Sequence, residues 1–171
     1  LAPEGGRIGI LLPNVVATLA LVLGATAMRR VPAMLNYTAG LAGMDSACQS
    51  AAVPVIITSR AFMEAAHLQE TIAGLARQRH VVYLEDLRGE FSFADKLWLL
   101  AALIAPRRFV PKTDPREEAV TLFTSGSEGT PKGVVLSHRN LLSNLAQIRS
   151  VIALNSSDKF LSALPLFHSF G

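Results

Sequence analysis

The chain has 171 residues, of which 50% are hydrophobic, 17% charged and 6% aromatic. This excludes intrinsic disorder, which needs low hydrophobicity and high net charge. Sixteen Lys and Arg against thirteen Asp and Glu leave a formal charge of +3, too mild for a nucleic-acid-binding footprint and suited to a small anionic ligand.

One cysteine, Cys48, excludes an intrachain disulfide and a cysteine-based metal cluster. None of His67, His80, His138 and His168 has a partner at metal-ligand spacing, so no metal site is predicted. The run RIGILL (7–12) predicts a buried strand, ended by Pro13 and Asn14. Asn14 is expected to cap a helix over 15–29. Its apolar stretch 15–28 is too short to cross a membrane and predicts a fully buried helix. Residues 31–35 predict a second strand, and 36–43, with Gly40 and Gly43, a loop. Asp45 is expected to cap a short helix over 45–52 in which Cys48 is buried. VPVIIT (53–58) predicts a third strand, after which Ser59 caps a helix to about residue 68. Residues 70–78 are helical again, and HVVYL (80–84) predicts a fourth strand. A helix over 95–105 stops at Pro106. Its stretch 98–105 is apolar all round and is followed by Arg107 and Arg108. Two readings stand for it: a peripheral membrane contact, and a helix buried under a partner domain.

The strands are continuous Val/Ile/Leu runs, not alternating ones. They are expected to be covered on both faces, as in a mostly parallel, helix-covered sheet of the α/β class. Residues 106–118 (PRRFVPKTDPREE) hold three prolines among many charges and predict a linker or exposed loop. It separates an α/β subdomain over 1–105 from a segment over 119–171 of the same domain. That segment reads as a strand over 119–123, a loop over 124–133 and a strand over 134–136. Ser137 then caps a helix over 141–152, with 141, 145, 148 and 152 on one face, and 160–164 predicts the last strand. The chain enters structure at once and ends on Phe170 and Gly171 without a polar tail, so it is expected to be part of a longer protein.

The stretch that carries chemistry is TLFTSGSEGTPKGVVLS (121–137). Gly126, Gly129 and Gly133 open backbone conformations closed to other residues, so several N–H groups can turn toward one anion. Thr124, Ser125, Ser127 and Thr130 add hydroxyl donors, and Lys132 adds a point charge. Together they predict a cradle for a polyphosphate such as ATP. It is not a Walker A loop: counted from Gly126, the second required glycine is Pro131, and Gly133 follows the lysine in place of Ser or Thr.

TSGSEGTPKGV resembles the phosphate-loop signature of the adenylate-forming superfamily, which comprises acyl-CoA synthetases, peptide-synthetase adenylation domains and luciferases. Glu128 stands where most members have a hydroxyl; its charge would repel phosphates unless it points away or helps hold Mg²⁺. That departure, with VPAMLNYTAG (31–40), VVYLEDL (81–87) and SALPLFHSFG (162–171), is similar to one branch. The branch is the acyl–[acyl-carrier-protein] synthetase part of bacterial 2-acylglycerophosphoethanolamine acyltransferases.

The resemblance implies the first part of a large N-terminal domain, with ATP and Mg²⁺ as cofactors. Its two steps are attack of a carboxylate on the α-phosphate, then transfer of the acyl group from the adenylate to a thiol. It places Thr124, Ser125, Gly126, Ser127, Glu128, Gly129, Thr130 and Lys132 at the phosphates, and His168 beside the reacting carboxylate. The implied partners are a fatty acid, an acyl-carrier protein or CoA, and, through an acyltransferase domain, a lysophospholipid at the cytoplasmic face of the bacterial inner membrane. A fatty acyl-CoA synthetase is the nearby alternative, and a non-catalytic phosphate-binding module the alternative of another class.

In the family the adenine site and the transferring lysine lie beyond the stretch seen here. The 171-residue chain alone is therefore expected to release no pyrophosphate from ATP and a fatty acid. A coupled pyrophosphate assay checks this, and robust turnover would contradict it.

Overall fold

The computed structural model describes residues 2–125, 131–159, 161 and 164–168, apart from the side chains of Arg88 and Ser125. Its frame is one six-stranded sheet. In chain order the strands are β1 (Arg7–Ile10), β2 (Val31–Met34), β3 (Val55–Thr58), β4 (His80–Tyr83), β5 (Glu118–Ser125) and β6 (Pro131–Ser137). Their spatial order is β4-β3-β1-β2-β5-β6. The first five pair parallel, and β6 runs antiparallel to β5. The expected α/β class holds. Because β5 pairs with β2, the sheet is continuous across 106–118.

The middle strands are apolar on both faces because both faces are covered. On one side Leu11, Ala33, Leu35 and Ile56 meet Met44, Ala47 and Cys48 of α2 (Gly40–Ser50) and Ile72 and Leu75 of α4 (Gln69–Leu75). On the other side Ile8, Ile10, Met34, Ile57 and Val120 meet Leu21 and Val22 of α1 (Val16–Ala27). Gly9 sits at the centre of β1. A Cβ there would lie 3.0 Å from Leu35 Cδ1, 3.1 Å from Val53 Cγ1 and 3.2 Å from Ile56 Cγ1, so its missing side chain lets these side chains of the neighbouring strands close over β1.

Several elements differ from expectation. α1 is not fully buried: only Thr18 is, while Val16 is 85% and Leu23 61% exposed. A helix apolar all round carries no sign of which side meets the sheet. Asn14 does not cap it; Val15 is the N-cap residue, without a side-chain bond. The expected loop 36–43 is a 3₁₀ turn (Tyr37–Ala39) leading into α2 at Gly40, whose φ of +67° is readily available to glycine. Asp45 therefore lies inside α2, where its carboxylate accepts from Arg79 at 2.5 Å and Gln49 at 2.8 Å.

Ser59 does cap α3 (Arg60–Ala65), accepting from the Phe62 N–H at 3.2 Å. After β4 comes α5 (Leu84–Glu90), which the sequence pattern did not reveal, and then α6 (Phe93–Ile104) with a capping box between Ser92 and Asp95. Of the expected loop over 106–118, residues 110–117 are irregular, but Pro106 does not begin that stretch. It opens the one-turn α7 (Pro106–Phe109), where its missing N–H costs nothing. Ser137 and Asn140 form the capping box of α8 (His138–Val151). The apolar row of α8 stays open: Leu141, Leu145, Ile148 and Ile152 are all exposed. Of the expected strand 160–164 only Leu161 and Leu164 are described, and neither is in a strand.

Cys48 is buried as expected, and burial pushes its thiol up to about 11. The unfolded thiol ionises near 9, so between about pH 9 and 11 the unfolded chain binds fewer protons than the folded one. Stability from this group is complete below pH 9 and is lost as pH rises through that window. Urea midpoints should fall over that range in the wild type and fall less in Cys48→Ala. At pH 8 the thiol should react with a disulfide reagent only after unfolding.

Candidate functional site

β5 leaves the core as it runs. Ala119, Val120 and Thr121 are buried, and Thr124 is exposed at the carboxyl end. β6 returns antiparallel, pairing Thr124 with Lys132 and Ser125 with Pro131. Directly opposed residues of an antiparallel pair project to one face. The Thr124 hydroxyl and the Lys132 ammonium therefore share a face at the end of the sheet. Lys132 is exposed, and among the described residues it has no ion-pair partner.

The expected loop over 124–133 is shorter than anticipated. Thr124 and Ser125 belong to β5, and Pro131, Lys132 and Gly133 to β6, because the ladder carries the pairing to Ser125 and Pro131. Gly133 faces Phe123 in ordinary strand pairing, and a Cβ there would meet Phe123 and Thr121 at 3.6 Å, a normal contact. It needs no conformation special to glycine. Gly126, Ser127, Glu128, Gly129 and Thr130 lie outside the described residues.

Beside the hairpin is a cavity of about 240 Å³ lined by Asn36, Ala39, Gly43, Met44, Ala47, Phe123, Thr124 and Pro131. Its walls come from the exit of β2, from α2 and from the hairpin, so it opens at the carboxyl ends of the parallel strands. Ligands of open α/β sheets bind along that edge. The lining is apolar apart from Asn36 and Thr124. Asn36 Oδ1 accepts from the Thr38 N–H at 2.9 Å and the Thr38 hydroxyl at 2.7 Å, which stiffens that wall.

His168 is exposed, on a segment brought to the same edge, and its N–H donates to Pro165 O at 2.9 Å. Two anchors hold that segment. Asn14 Nδ2 donates to Leu164 O at 2.5 Å, and Asn14 Oδ1 accepts from the Leu166 N–H at 2.8 Å. Phe167 packs edge-on against Tyr37 with ring centroids 5.1 Å apart, and Tyr37 packs on Phe62 at 5.3 Å. Tyr37 follows Asn36 of the cavity wall, so the His168 segment and the hairpin cavity share one support. Asn14 was missed as a site residue because its partners lie some 150 residues away, and a local reading makes it a helix cap.

The sequence profile described as "AMP-binding enzyme" matches residues 2–171. The chain belongs to this AMP-binding enzyme family. Among curated relatives, the peroxisomal long chain acyl-CoA synthetase 6 of Arabidopsis thaliana is 46% identical over 65 residues, 38% of this chain and 9% of the relative. The chloroplastic long-chain-fatty-acid–[acyl-carrier-protein] ligase AEE15 of the same plant is 42% identical over 57 residues, 33% of this chain and 8% of the relative. The matches thus span less than a tenth of those relatives' lengths. Among solved structures, the inhibitor-bound N-terminal domain of FACL13 from Mycobacterium tuberculosis aligns with a TM-score of 0.75 at 22% identity, covering 96% of this chain and 39% of that one. The o-succinylbenzoate CoA synthetase MenE of Bacillus subtilis, holding its acyl-adenylate intermediate, aligns at 0.70 and 18% identity, covering 98% and 40%. At these identities the structures establish the fold: that of the N-terminal domain of adenylate-forming enzymes.

Asn14→Ala removes two hydrogen bonds worth roughly 1 kcal/mol each. Amide exchange across 164–168 should then rise about tenfold or more, with β1 and β3 unchanged. Unchanged exchange at Leu166 would mean that the aromatic contacts alone hold the segment.

Proposed function

We propose that the β5–β6 hairpin grips the β- and γ-phosphates of ATP in an AMP-forming acid–thiol ligase that activates fatty acids. The observation that carries this is the opposition of Thr124 and Lys132 at the carboxyl edge of the sheet, within TSGSEGTPKG and beside an apolar cavity. The relatives named for long-chain fatty acids support the substrate class. They also support CoA or an acyl-carrier protein as the acceptor thiol.

In the first step an already ionised carboxylate attacks the α-phosphate, the bond to the β-phosphate breaks, and pyrophosphate leaves. Such a step asks the protein mainly for position and charge neutralisation. Lys132 offsets charge on the departing phosphates, and the Thr124 hydroxyl donates to them. Ser125, Gly126, Ser127, Gly129 and Thr130 would complete the cradle, and Glu128 would turn from it or help hold Mg²⁺. Among the described residues no group of three His, Cys, Asp or Glu could hold a metal. Mg²⁺ typically arrives on nucleotide phosphates with few protein ligands, and when bound it supplies charge neutralisation. His168, on the segment pinned by Asn14, would face the carboxylate. In the second step the thiol attacks the acyl-adenylate and AMP leaves.

Glu128 and the stretches at 31–40, 81–87 and 162–171 support a narrower reading: transfer to an acyl-carrier protein that feeds lysophospholipid reacylation at the inner membrane. A carrier-loading assay comparing acyl-carrier protein with CoA tests this part separately.

An opposite-charge pair at 4 Å is worth on the order of 4 kcal/mol at an effective dielectric of 20. Desolvation and remaining water contacts reduce that to roughly 1–3 kcal/mol. Lys132→Ala in the whole encoded protein should therefore lower kcat/KM of fatty-acid-dependent pyrophosphate exchange by about one to two orders of magnitude. Thioester formation from supplied acyl-adenylate should suffer less, since pyrophosphate has already left. Equal loss in both half-reactions with a matching fall in Tm would assign Lys132 to the fold.

A further inference from the structure

We propose that α6 and α7 form a docking element for an anionic lipid surface. Every residue from 91 to 100 is exposed, and Leu103 and Ile104 are 72% and 79% exposed. No residue of α6 is buried, and the helix packs chiefly on α7. Past Asp95 and Lys96 its sequence is LWLLAALI, without a polar side. A helix without a polar side needs an apolar surrounding on all its open sides, and a fluid acyl phase supplies one.

The ends of the element fit a headgroup layer. The capping box of Ser92 and Asp95 satisfies N–H groups at the start of α6, which a low-dielectric surrounding requires. Ser92 also holds the Asp95 carboxyl below its usual range, so that charge is committed to the cap. At the other end α7 places Arg107 and Arg108 in solvent, and among the described residues neither is in an ion pair. Lys112 and Arg116 are exposed just beyond. From 91 to 116 there are five cations against Asp95 and Asp114, a surplus equal to the +3 of the entire chain. Cations that flank an apolar helix add attraction to anionic lipid. Trp98, edge-on to Phe109 at 5.5 Å, supplies the amphipathic ring that favours the interface. At 12 residues, about 18 Å long, α6 lies along a bilayer. No helix among the described residues is long and apolar enough to cross one.

Trp98 is the sole tryptophan of the 171 residues and sits on α6. The whole encoded protein should float with phosphatidylglycerol-containing vesicles, with a blue shift of tryptophan emission that is absent in Trp98→Phe and weakens at high salt, and should bind phosphatidylcholine vesicles poorly. Arg107→Glu with Arg108→Glu should lower partitioning roughly tenfold or more. Leu103→Glu and Leu103→Gln, at an exposed position, should abolish the blue shift with Tm unchanged. Three results would overturn the proposal. The first is no blue shift with any vesicle. The second is a blue shift that grows with protein concentration in the absence of lipid, which would mark pairing with a second copy. The third is a Leu103→Glu chain that floats like wild type, which would put the contact elsewhere.

Discussion

Burial of both faces of the β4-β3-β1-β2-β5 array is the constraint from which the rest follows. A parallel strand cannot return by a tight turn, so each crossover goes through a helix, and that helix must cover a face. α1 takes one face, and α2 and α4 take the other. The arrangement gathers the carboxyl ends of all the parallel strands on one edge. Asn14 after β1, Asn36 after β2, Ser59 after β3 and Thr124 near the end of β5 lie along one edge for that reason. Gly9 shows how little slack the frame has: at the centre of the sheet, side chains at the ends of β2 and β3 and in β3 itself come within 3.0–3.2 Å of where a side chain would begin.

On that edge the polar groups divide into those committed to the fold and those left open. Arg60 is forked onto Asp86 at 2.6 and 2.7 Å and lies over the Tyr83 ring at 4.2 Å. Glu85 is held below the usual carboxylate range; burial opposes this, and backbone N–H groups, those of Arg60 and Ala61 among them, outweigh it. Away from that edge, just before β4, Arg79 is nearly buried against Asp45. A charge already paired with protein has little to offer a phosphate. Lys132 and Thr124 are the contrasting case, side by side on a hairpin that projects past the core. Antiparallel pairing makes this possible, because it puts residues eight apart in sequence opposite one another.

The high mean hydropathy of +0.37 has a structural counterpart. The core takes the strands and the inner sides of α1, α2 and α4, while the outer side of α1, the row on α8 and nearly all of α6 remain in solvent. These surfaces are not equivalent. α1 and α8 show apolar rows on helices that also touch the sheet or its edge strand. α6 stands off the body and carries a cationic end, which is why a lipid surface suits it.

The positions of the first four strands, the α/β class and the Ser59 and Ser137 caps were legible in the sequence, because each depends on residues within a few positions of one another. Continuous VPVIIT or RIGILL can satisfy itself only in a covered sheet. Ser, Gly, Thr and Lys packed into ten residues make the proposed phosphate cradle a local reading as well. What depended on distant partners was not legible. Asn14 has a good helix-capping sequence around it, yet its amide closes on Leu164 and Leu166. Asp45 has the look of a cap and is instead the partner of Arg79. The apolar helices 15–28 and 98–105 read alike as segments, but the first finds a sheet on one side and the second finds none. A side chain's local preferences are written in its neighbours in sequence, whereas the partner it takes is decided by which elements the crossovers bring beside it.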